Sequence, residues 1–182
     1  MKALKWSLLG FLGLSVVGYC LLSPNVSAAD GFSKVKCGGD IPAALIGVVL
    51  ANERSSAVEA RHKDLGLKDL GGDELSGGLS LSGWLICGSE YQLITDKRNV
   101  VRDVLKFPEH SKASPEFLGS CRINGKPLPG DVIAVLNNQP GAENLSAKFA
   151  WKIDTKTAKF VKLDTAGMQC PRDGINTADG GN

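Results

Sequence analysis

Two histidines, five cysteines and several acidic residues are the groups in this chain with reactive chemistry to offer. His62 lies in Glu59–Asp64, beside Glu59, Arg61, Lys63 and Asp64, and His110 lies between Pro108 and Pro115. A histidine near a carboxylate is the usual pairing for general acid–base work, so an exported hydrolase using His62 or His110 with Asp64 or Glu59 is one expectation. A metal held by His62, His110 and a carboxylate is conceivable, but the spacing matches neither H-E-x-x-H nor any sustained ligand run. No metal or other cofactor is therefore expected. Glu59 and His62 would share a face only if that stretch were helical.

Nucleophile patterns are weak. No serine sits in G-x-S-x-G, and Ser33 with Lys36 matches S-x-x-K without the companion motifs. Asp64, Asp69, Asp73 and Glu74 lack the alternating ligand spacing of a calcium loop. Gly71-Gly72-Asp73-Glu74-Leu75 resembles the G-G-D-E-F signature of diguanylate cyclases in four letters and departs at the fifth; the flanks are glycine-rich and the chain carries export signals, so no nucleotide chemistry is expected. Pro129–Val135 with Asn137–Pro140 resembles the turn and strand near the end of bacterial PDZ modules, which implies capture of a peptide C-terminus by strand addition. The carboxylate-binding glycine loop of that family has no counterpart here. The same string is similar to signal-peptidase folds, but the Ser-Met nucleophile pair is missing. Asn144-Leu145-Ser146 is a glycosylation sequon, meaningful only in a eukaryotic host.

The cysteines depend on compartment, which the N-terminus addresses. Lys2 and Lys5 precede an apolar run from Trp6 to Leu22, followed by Pro24 and Val26-Ser27-Ala28. This is the order of a secretory signal peptide over residues 1–28, cut after Ala28, giving a secreted or periplasmic protein. Two alternatives are an uncleaved anchor over residues 6–22 and lipid attachment at Cys20. With Cys20 removed, Cys37, Cys87, Cys121 and Cys170 remain, an even set that in an exported protein reads as two disulfides. Three pairings are open; the preferred one is Cys37–Cys87 with Cys121–Cys170.

Removing Lys2 and Lys5 leaves 19 basic against 19 acidic residues. A neutral chain with interspersed charges has no footprint for phosphate backbones or anionic lipid, so neither nucleic acid nor a membrane surface is an expected partner. The domain plan is a signal peptide at 1–28, an exposed leader at 29–36, one globular domain at 37–172 and a flexible tail at 173–182.

Local patterns describe the elements that must position these groups. Asp40 caps a short helix over Ile41–Ile46, with Pro42 in its first turn. Ala57–His62 reads as a strand and Lys63–Gly83 as a long glycine-rich loop with one helical turn. Alternation at Trp84, Ile86, Tyr91 and Leu93 breaks at Gly88-Ser89, and Asp96–Asn99 turns into Val100–Phe107. Pro108–Pro115 is a loop. Arg122–Asn124 and Val132–Leu136 flank a turn at Gly125–Gly130, and Asn137–Gly141 turns again. Phe149, Trp151 and Ile153 share a strand face that returns, through Asp154–Thr157, along Ala158–Leu163. The expected core is Trp84, Ile86, Tyr91, Leu93, Val104, Val135, Phe149, Trp151, Ile153 and Phe160. The fold class is α+β, mainly β: a compact, disulfide-stapled antiparallel domain with a short N-terminal helix. A rigid β scaffold with long loops at Lys63–Gly83 and Pro108–Pro115 is expected to bind a macromolecule, a protein by preference, without catalysis. A structural component of the cell envelope is the remaining alternative.

Overall fold

The computed structural model describes residues 30–174. The expected signal segment and cleavage site, Cys20 and residues 175–182 of the expected tail lie outside that range. Among the described residues no helix is long and apolar enough to cross a membrane.

Among the described residues the architecture is mainly antiparallel β with two short α-helices, α1 (Ile41–Leu45) and α2 (Ser55–Arg61). A first sheet is a meander of β1 (Lys68–Leu75), β2 (Leu79–Ile86), β3 (Ser89–Asp96) and β4 (Val101–Lys106). The second sheet contains β5 (Glu116–Gly119), β6 (Arg122–Ile123), β7 (Lys126–Pro127), β8 (Val132–Leu136), β9 (Asn144–Asp154), β10 (Lys159–Lys162) and β11 (Met168–Pro171). Its strand order is β5-β8-β9-β11-β6-β7, with β10 also on β9.

The expected helix starts where Asp40 places it, because Asp40 Oδ1 accepts the Ala43 amide at 3.0 Å. Its inward residues Ile41 and Leu45 join Phe32, Val35, Val58, Trp84, Ile86, Tyr91 and Leu93 in a core between the helices and the first sheet. The opposite face of that sheet, through Leu79, Leu81 and Ile94, packs on Ile133, Val135 and Ile153 of the second. The sequence of β2 records this change: Leu79 and Leu81 are odd-numbered and face the second sheet, whereas Trp84 and Ile86 are even-numbered and face the helices. The phase of burial changes at Gly83. β8 is buried along its whole length because Val132, Ala134 and Leu136 supply a third core, with Phe117, Leu145 and Met168, while Ile133 and Val135 face the first sheet. A continuous apolar run is what a strand covered on both faces requires.

Several expectations are corrected. Ala57–His62 is helix, not strand: residues 55–61 form α2, which buries Val58 against the first sheet. The stretch Lys63–Gly83 is not a long loop. After a 3-10 turn at Lys63–Leu65 it forms most of the β1–β2 hairpin, with Leu75 opposite Leu79. Gly71 adopts φ 95° beside a bulge at Leu70, and a Cβ on Gly72 would lie 2.2 Å from the Leu81 carbonyl oxygen, so these glycines serve strand pairing. The leader is not exposed throughout, since Phe32 and Val35 are buried beneath the first sheet. Phe149 is half-exposed, and Val104, Trp151 and Phe160 are only partly buried. Val135 pairs with Phe149 but Leu136 pairs with Ala147, so Lys148 is an extra residue in β9 and Phe149 sits at the rim of the inter-sheet core.

Both preferred disulfides are present. Cys37–Cys87 ties the N-terminal turn to the β2–β3 hairpin, and Cys121–Cys170 ties the β5–β6 junction to β11. The hairpin turn is Cys87-Gly88, with φ of 53° and 76°, matching the twist of the flanking strands.

Candidate functional site

A cavity of about 300 Å³ opens between the N-terminal turn, α2 and the first sheet. Its apolar wall includes Phe32, Val58 and Trp84, and the Phe32 and Trp84 rings lie 5.1 Å apart. Its charged lining is Asp30, Glu53, Arg61 and Asp69, three carboxylates against one guanidinium.

These charges are held in a fixed order. Asp30 Oδ2 receives His62 Nε2 at 2.7 Å and Arg61 Nη1 at 3.2 Å, while Asp30 Oδ1 receives the Phe32 amide at 3.3 Å. Burial pushes the Asp30 carboxyl up, but the His62 hydrogen bond, the Phe32 amide and Arg61 outweigh it, so the group ionises below its ordinary value. Arg61 also grips Glu53. Hydrogen bonds to Glu53 first, then Asp30, hold the guanidinium more firmly protonated than usual. Asp69, also in the lining, accepts the Ser55 hydroxyl and the Gly71 amide. Glu59 Oε1 accepts the Asp69 amide at 2.8 Å, linking α2 to β1.

Trp84 adds a further feature. Its indole Nε1 is the one buried side-chain polar atom, among the described residues, without a hydrogen-bond partner. A buried donor left unpaired costs about 1–3 kcal/mol, and here it belongs to a wall of the cavity.

The two histidines are not brought into one site. His62 pairs with Asp30, whereas His110 Nε2 lies 2.8 Å from Glu90 Oε2 at the seam between the two sheets. Neither histidine uses Asp64 or Glu59 in these bonds, which corrects the pairing expected from local sequence. Ser55 donates to Asp69 and Ser33 to the Asp30 carbonyl. Asp73 and Glu74 lie along β1, exposed and spread by the strand.

Sequence reasoning missed Asp30, Glu53, Ser55 and Trp84 as lining residues, together with Glu90, Gln92 and Glu116 at the seam. Only Gln92 had a legible signal: a buried polar residue inside an apolar strand, 5% exposed. The chain matches no family model, no curated protein and no solved structure.

Proposed function

We propose that this is an exported binding protein whose acidic, aromatic-walled cavity receives a positively charged side chain, lysine or arginine, from a partner protein. The cavity carries this reading: a space of about 300 Å³ lined both by apolar Phe32 and Trp84 and by a net excess of carboxylates. Its volume lies at the small end of ligand sites, enough for one side chain. A cationic head gains from the carboxylates, and its alkyl stem gains from burial against the rings. Two disulfides fit an oxidising compartment. Export through residues 1–28, with cleavage after Ala28, belongs to the same proposal.

The hydrolase alternative has the histidine–carboxylate contacts it needs, but the Ser33 and Ser55 hydroxyls are committed to other acceptors. Binding without turnover fits this arrangement better.

The test is a tryptophan-fluorescence titration with short peptides ending in arginine, lysine or glutamate. The basic peptides should bind, and Glu53→Gln should weaken them about tenfold, as loss of one charge-assisted contact implies. Equal binding of the glutamate peptide, or no response to any, would refute the proposal.

A further inference from the structure

We infer that Glu90, His110 and Glu116 form a binding site for one divalent transition ion of the zinc type, separate from the cavity. The residues come from three places. Glu90 is near the start of β3, His110 lies in the loop after β4, and Glu116 opens β5. One ligand atom from each, two carboxylate oxygens and an imidazole nitrogen, converges so that all three lie within 4.8 Å of one another. Metal–ligand distances of about 2.0–2.2 Å place an ion within reach of such a set.

Strand geometry explains the convergence. Glu90 and Gln92 share the β3 face that carries Ile94 into the inter-sheet core. Glu116 pairs with Val135, and Val135 faces that same core, so Glu116 points at the first sheet. The apolar seam therefore ends in a polar corner. His110 is held there by Phe107, with ring centroids 5.8 Å apart. The Glu90 and His110 side chains are 14% and 19% exposed, which separates this group from ordinary surface acids.

A buried side chain supports the ligands from behind. Gln92 Nε2 donates to Glu90 Oε1 at 2.8 Å and to Glu116 Oε1 at 3.2 Å. Room for that amide exists because residue 83, directly across the β2–β3 pair, is glycine; a Cβ there would lie 3.1 Å from Gln92 Nε2. Metal-bound carboxylates are commonly oriented by such outer partners. Two carboxylates gathered in a half-buried seam are costly together, and a divalent cation offsets that cost directly. A cleft of about 50 Å³, lined in part by Gly71, Gly72, Gln92 and Glu116, adjoins the group and gives access for an ion and its waters. One imidazole with two carboxylates suits zinc better than calcium or magnesium, which prefer all-oxygen shells, and the set has no sulfur for copper(I).

The full chain, stripped with chelator and re-equilibrated, should take up one Zn²⁺ per molecule by native mass spectrometry and calorimetry. Co²⁺ should give a visible d–d spectrum. His110→Gln and Glu116→Gln should each weaken Zn²⁺ binding more than a hundredfold, and Gln92→Leu by about 10–100-fold, as an outer-shell change does. His62→Gln should leave affinity unchanged. Circular dichroism and a cooperative melt establish that each variant is folded; for a variant that is not, loss of the Co²⁺ band in wild type on titration with Zn²⁺ gives the decisive readout. Wild-type affinity retained in folded Glu116→Gln, sensitivity to His62→Gln, no stoichiometric Zn²⁺, or tighter Ca²⁺ than Zn²⁺ would each overturn the assignment.

Discussion

Replacing both cysteines of one bridge with alanine tests how the two halves of the molecule are stabilised. The bridged positions are 50 and 49 residues apart, and the two loops share no residue. Closing a loop of that length removes about 4 kcal/mol of denatured-state entropy. The bridges should therefore act independently, together supplying about 8 kcal/mol against a usual total of 5–15 kcal/mol for a domain. The environments differ, since Cys121 and Cys170 are buried with Phe117 and Met168 whereas Cys37 is exposed. Removing the buried sulfurs also leaves a small void, so the Cys121/Cys170 double variant should lose somewhat more than the Cys37/Cys87 one. Each should melt about 12 °C below wild type, at about 3 °C per kcal/mol for a domain of this size. Calorimetric melts with parallel urea titrations read both quantities. Losses below about 1 kcal/mol for both bridges, or a larger loss at Cys37/Cys87, would refute the reasoning.

Mild thiol treatment of the native protein should open Cys37–Cys87 first, with Cys121–Cys170 opening only as the domain unfolds; mass spectrometry after alkylation at timed intervals reads the order. Gly72→Ala should cost about 1–3 kcal/mol in urea denaturation, because the new methyl meets the Leu81 carbonyl and the Ser82 Cα, both of them backbone. The Asp30 carboxyl titrates below its ordinary value when folded, so its stabilisation is complete above the unfolded value and lost as pH falls through the folded one. Wild type should accordingly melt above Asp30→Asn at pH 7, with the gap closing in strong acid; a gap that widens on acidification would contradict this sign. Deleting Lys148 should be tolerated, since it removes the bulge and keeps Ala147 and Phe149 on opposite faces, whereas deleting Ser146 inverts the start of β9 and should abolish the cooperative melt.

Legibility in the sequence followed the range of the interactions. The α1 cap, the β2–β3, β3–β4 and β9–β10 turns and both disulfides rest on residues near in sequence or on a small set of pairings. The β1–β2 hairpin was hidden because Gly71 and Gly72 look like loop residues until Leu81 and Ser82 are set beside them. α2 was misread because only Val58 of its residues is buried, too few to show a helical period. The cavity and the seam were the least visible. Asp30 meets His62 across 32 residues, and Gln92 meets Glu116 across 24. The polar character of position 92 was present in the sequence, but its partner Glu116 was fixed only by the contact of one sheet with the other.

The order of the cysteines also bears on how the molecule is made. Synthesis runs from the N-terminus, so Cys37 and Cys87 are available as a couple before Cys121 and Cys170 have been added. Each half-cystine finds its mate as the next one along the chain. With Cys20 removed, as the proposed export implies, sequential oxidation yields the native connectivity without later shuffling of mispaired bonds. Maturation should depend on an electron acceptor for the thiols far more than on an isomerase.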